Sequence, residues 1–195
     1  MAAPTVLIRS LFCLVLVAVI GAVDGAFAND DRAYGSDADG EVVEWSGAGL
    51  SVQVKPLAAD PVQAFLLGRG FASKTARAYA SNCVFRVILH YAGGAPLDYD
   101  LRNWRIRTED GQTRLLKPRE DWLEDWRSPP LDAAARMGFE FSQLPTRQTL
   151  ARGDTVLGMS AIALPPGSRF DLLLNWTIAG ESHHAVVAGI RCRAP

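Results

Sequence analysis

Apolar and polar residues alternate with a period of two through much of this chain, and glycine, proline and Asp-Gly turns divide the runs. The longest such passage is residues 150–176, LARGDTVLGMSAIALPPGSRFDLLLNW, where Gly153, Gly158 and Pro165-Pro166-Gly167 punctuate two strand-like runs. In the run CVFRVILHY, Cys83, Phe85, Val87, Leu89 and Tyr91 share one face, with Arg86 and His90 on the other. Residues 101–108 alternate again, setting Trp104 and Ile106 against Arg105 and Arg107. Asp110-Gly111 then predicts a hairpin returning through Leu115 and Leu116.

Near the start, Leu50, Val52 and Val54 mark a first strand or strand pair within 41–57, with Trp45 ahead of Gly47 and Gly49. RMGFEF at 136–141 reads as a strand with Met137, Phe139 and Phe141 on one face. The last strand, 183–193, puts Val186, Ala188, Ile190 and Cys192 on a common face. Helical signals are short. Asp60 as N-cap and Pro61 at the first helical position open a helix over 62–67 that Gly68 and Gly70 end. Residues 71–82 form a second short helix or a long loop, and 119–126 supply one or two turns before Pro129-Pro130. The pattern predicts an all-β, immunoglobulin-like β-sandwich of about seven to nine strands, with short helices in its connections.

The N-terminus changes the picture of where this sandwich works. Arg9 precedes an apolar run over 11–23 that ends at Ala26-Phe27-Ala28, which predicts a cleaved secretory signal peptide over residues 1–28. The expected location is the periplasm, or outside the cell, with no stable membrane insertion after cleavage. Residues 29–40, NDDRAYGSDADG, are polar and acidic and predict a flexible mature N-terminus. The acidic run at 37–41 does not make an EF-hand loop, because Gly35 and Ser46 stand where ligands would be needed. Residues 41–195 then form a single β-sandwich domain with an insertion at about 117–148.

The formal net charge is −1, so no bulk electrostatic case for nucleic acid exists. Of the three cysteines, Cys83 and Cys192 survive signal cleavage. Both fall on the apolar phase of their strands, and an oxidising compartment predicts a disulfide between them.

The residues CVFRVILHYAGGAPL, WRIRTEDG, and then Leu150, Gly153, Asp154, Val156, Gly158, Ile162 and Pro165 carry a family likeness. Over about residues 83–176 the chain resembles a telokin-like immunoglobulin-fold domain family of bacterial exported proteins and lipoproteins, itself of unknown function. Tyr91 or Ala92 stands where that family usually has asparagine, and the insertion around Trp122 and Trp126 has no counterpart in it. The resemblance implies a binding or accessory module rather than an enzyme.

Three chemistries compete for a function. A non-catalytic periplasmic accessory or protein-binding module, contacting another exported protein, is the leading expectation. Its candidate contacts are Trp122 and Trp126, four apart on a predicted helix with Arg119; an outward row of Arg86, Arg105 and Arg107; and Arg69, set between glycines in FLLGRGF. The first alternative is copper binding or delivery through His90, His183 and His184, with Met137 and Met159 as soft ligands; the leading reading has no cofactor. Adjacent histidines on a strand face opposite ways, which counts against a shared site. The second alternative is a periplasmic enzyme of unidentified class, drawing on Asp98, Asp100, Glu120, Asp121, Glu124 and Asp125, or on His90 with Ser81 or Ser160. No nucleophile elbow, zinc-protease signature or phosphate loop accompanies them.

Overall fold

A computed structural model describes residues 41–128 and 130–194. The expected signal peptide (1–28) and acidic N-terminal segment (29–40) lie outside the described residues. Ten strands and four α-helices follow in chain order: β1 (Val43–Gly47), β2 (Leu50–Pro56), α1 (Ala59–Leu67), α2 (Ser73–Ala80), β3 (Cys83–Tyr91), β4 (Leu97–Asp100), β5 (Arg105–Thr108), β6 (Thr113–Leu115), α3 (Arg119–Asp125), α4 (Ala133–Ser142), β7 (Arg147–Leu150), β8 (Thr155–Ile162), β9 (Arg169–Ile178) and β10 (Glu181–Arg191). The strands form two antiparallel sheets. One runs β1-β2-β3-β8; the other has β9 at its centre, paired with β5, β4 and β10, and β6 and β7 outside.

This is the all-β sandwich that the alternation predicts. Leu50, Val52 and Val54 of β2 and Phe85, Val87 and Leu89 of β3 are fully buried against Leu172 and Leu174 of β9 and Ile106 of β5. Alternate side chains of each strand thus fill the space between the sheets. Cys83 and Cys192 are joined by a disulfide with a Cα–Cα distance of 5.3 Å, tying the start of β3 to the chain end beyond β10.

A second apolar cluster lies on the other face of the first sheet. Val84 and Ala161, paired across β3 and β8, are buried there beneath Val62 and Leu66 of α1, Ala76 and Tyr79 of α2, and Ala135 and Phe139 of α4. The described residues therefore stack helices on sheet on sheet, and the helices of the insertion, α3 and α4, belong to the helical layer.

Three local expectations are corrected. RMGFEF is not a strand but part of α4: Asp132 caps the helix by accepting from the Ala135 amide at 2.7 Å, and Arg136 and Glu140 pair at i,i+4. A six-residue window matches both periods, and the alanines upstream decide for the helix. In β10, Ala185 and Val187 point inward and Val186 is 40% exposed, while Ile190 and Cys192 are buried. A bulge between Val187 and Ile190, with Gly189 at φ 77°, inserts one residue and swaps the face. Helix α1 starts before Asp60, with Ala58 as its N-cap.

Candidate binding surface

Helix α4 carries two apolar stripes. Ala135 and Phe139, four apart, face inward and are fully buried. Met137 and Phe141, also four apart, lie about half a turn round and are 54% and 82% exposed. An amphipathic helix on a core needs only the first stripe. The second borders a groove of about 1110 Å³ whose other walls are Phe65 of α1, the 68–70 turn, and Leu157 and Met159 of β8. Leu157 is 60% exposed on the outer face of β8, opposite Ile88 of β3.

Arg69 is fixed at the edge of this groove. Its guanidinium lies 3.9 Å from the centroid of the Phe65 ring, and its aliphatic stem crosses α4 at Gly138. A Cβ at Gly138 would lie 2.7 Å from Arg69 Cδ, so glycine makes room for the stem. A smaller cleft of about 280 Å³ adjoins the groove, sharing Phe65 and Met159 with it; among the described residues its charged lining is Lys55, Arg86 and Arg193, with no carboxylate.

The two tryptophans expected as contact residues pack within the helical layer. Trp126 packs edge-on against Phe139 at 4.8 Å and Phe71 at 5.5 Å, and Trp122 against Tyr79 at 5.1 Å. Both are half-buried and hold α3 against the other helices, with Lys117 over the Trp122 ring at 4.2 Å. Arg119 bridges α3 to α4 by donating to the Glu140 carbonyl at 3.1 Å.

The expected arginine row does not exist. Arg86 stands on β3 in one sheet, whereas Arg105 and Arg107 stand on β5 in the other, so the strands never pair. Arg107 is ion-paired with Asp171 at 2.7 Å. Burial pushes the Asp171 carboxyl up, but Arg107 and the Gly189 amide bring it below its ordinary range. Arg105 donates to the carbonyls of Arg102 and Trp104. Hydrophobic alternation places each arginine outward and carries no information about which strands become neighbours.

The histidines are scattered. His90 shares a hydrogen bond with Thr155 at 2.9 Å on the first sheet; His183 stacks on Trp176 at 5.8 Å in the second, and His184 is exposed opposite Asn175. Among the described residues no three His, Cys, Asp or Glu side chains gather in a metal-ligating group. Met137 and Met159 line the groove instead.

The carboxylates are taken up in polar pairs. Asp98 accepts from Thr149, Asp100 from Arg147 at 2.6 Å, Glu120 from Thr146 at 2.5 Å, Glu124 from Arg127 at 2.6 Å and Asp125 from Lys117. Asp121 lies 3.7 Å from Arg102. His90 is opposite Thr155 and Ser160 opposite Phe85, while Ser81 bonds to the Ala78 carbonyl, so no histidine–serine pair forms.

No family model matches the chain, and no curated protein matches it. Solved structures to which it is similar include the yjhA protein of Bacillus subtilis, aligned over 72% of this chain and 93% of its own at 11% identity and a TM-score of 0.40. The putative ApaA protein of Bordetella pertussis aligns over 75% and 94% at 14% identity and 0.37, and a putative lipoprotein of Bacillus subtilis over 77% and 35% at 11% and 0.34. Among the described residues no helix is long and apolar enough to cross a membrane.

Proposed function

We propose that this chain is an exported, non-catalytic accessory module of the telokin-like immunoglobulin type that binds another exported protein. The groove beside α4 is the contact surface. The supporting observation is the outward stripe of Met137 and Phe141 facing Leu157 across that groove, because aromatic and methionine side chains on a recessed apolar surface are what protein interfaces bury at their centres. Export through a cleaved signal peptide to the periplasm accords with the Cys83–Cys192 disulfide, which an oxidising compartment would maintain.

A photo-crosslinking residue at position 141 should give one discrete adduct in the native periplasm. The same residue at the exposed Val186, on β10, should not. Absence of a discrete adduct at position 141, or equal adducts at both positions, overturns the reading.

A further inference from the structure

We infer that the groove takes an acidic amphipathic segment of its partner, with large apolar side chains seated between Phe141 and Leu157 and carboxylates set against Arg69, Arg86 and Arg193. The inference rests on the protein-binding reading above and names the chemistry of the partner.

Charge supplies the argument. Arg69, Arg86 and Arg193 line the groove and its adjoining cleft, where Asp132 is the single carboxylate among the described lining residues. Asp132 is already committed to capping α4 through the Ala135 amide. Among the described residues Arg69, Arg86 and Arg193 make no ion pair, although elsewhere on the surface arginines such as Arg107 and Arg147 do. Cations left unneutralised around an apolar floor favour an anionic occupant and repel a cationic one.

Arg69 is also held in place before any partner arrives. Its stem lies in the notch at Gly138 and its guanidinium on Phe65, so little rotamer freedom remains to be lost on binding. A second copy of this chain fits poorly, because a two-fold contact would set the same cationic surface against itself. Nucleic acid would reach the arginines through phosphate, yet Met137 and Leu157 would have nothing apolar to cover them. A protein segment answers both features.

The test uses the mature full-length chain and short random peptides displayed on phage, with selected peptides then measured by fluorescence anisotropy. Selected peptides should combine Asp or Glu with large apolar residues and should lose binding to Phe141→Ser. The double variant Arg69→Glu, Arg86→Glu should weaken them about tenfold or more, and peptides with Lys in place of their acids should bind that variant better than the wild type. Near-ultraviolet circular dichroism checks that each variant is folded, and Arg69→Gln, Arg86→Gln provides a milder pair.

Peptides that need Phe141 yet are neutral or basic, and keep their affinity for both double variants, overturn the acidic inference and leave the protein-binding reading standing. Three results overturn both: no Phe141-dependent peptide; a dimer in sedimentation that Phe141→Ser abolishes; or Phe141-dependent binding to phosphatidylglycerol–phosphatidylethanolamine vesicles or to single-stranded DNA.

Discussion

Tyr79 donates its phenolic hydrogen to Gln143 Oε1 at 2.8 Å, a buried bond joining α2 to the residue that ends α4. Gln143 is 4% exposed and Tyr79 is fully buried, so neither group has water as an alternative. Tyr79→Phe keeps the ring contacts but strands the amide oxygen. The expected loss is about 1–3 kcal/mol, measured by urea unfolding at neutral pH.

The same tyrosine predicts an alkaline limit. Burial pushes the Tyr79 phenol well above its ordinary value; Tyr99 is raised in the same way, with Arg119 opposing. The folded state thus keeps protons that the unfolded chain releases above about pH 10. These groups leave stability unchanged below that pH and reduce it as pH rises further. Tyr79→Phe should therefore flatten the fall of the unfolding midpoint above about pH 10 while lowering the midpoint at neutral pH.

Gly158 of β8 lies against the chain that leaves α4. A Cβ there would meet the Leu144 amide nitrogen at 2.1 Å, and Leu144 itself donates to the Met159 carbonyl at 2.9 Å. Backbone cannot swing aside as a side-chain tip can. Gly158→Ala should cost about 3 kcal/mol or more in chemical denaturation.

Gly138 behaves in the opposite way. The atoms nearest an Ala Cβ here belong to the flexible stem of Arg69, and glycine within a helix is about 1 kcal/mol less favourable than alanine. Gly138→Ala should preserve or raise the melting temperature while displacing Arg69 from Phe65. Peptides selected on the wild type should then bind more weakly, although no charge has changed.

The Cys83–Cys192 bridge spans 109 residues. In the chain-entropy account, a loop of this size stabilises the fold by about 4 to 5 kcal/mol. Both cysteines are buried, so reduction should require prior loosening of the fold and should be slow without denaturant. A Cys83→Ser, Cys192→Ser variant should show the full loss in urea unfolding.

Much of the sandwich was legible in local pattern. The alternation in CVFRVILHY placed Cys83, Phe85, Val87 and Leu89 on the inner face of β3, and the same reasoning brought Cys192 inward at the chain end. These readings hold because strand side chains alternate wherever one face is buried. They fail at β10, where one extra residue near Gly189 reverses the phase, and at RMGFEF, where a short window fits two periods.

The surface depended on neighbours that no local pattern supplies. Arg86, Arg105 and Arg107 each point outward as their strands require, yet only the sheet order parts them. Trp122 and Trp126 share a helical face, as their spacing demands, but that face turns toward Tyr79 and Phe139. By itself the sequence determined the strand alternation, the paired cysteines and the presence of arginine and aromatic residues in the connections. The tertiary structure alone decided that Arg69, Phe65, Phe141 and Leu157 border one groove. They come from α1 and the turn that follows it, α4 and β8, far apart in the chain, and packing brings them together.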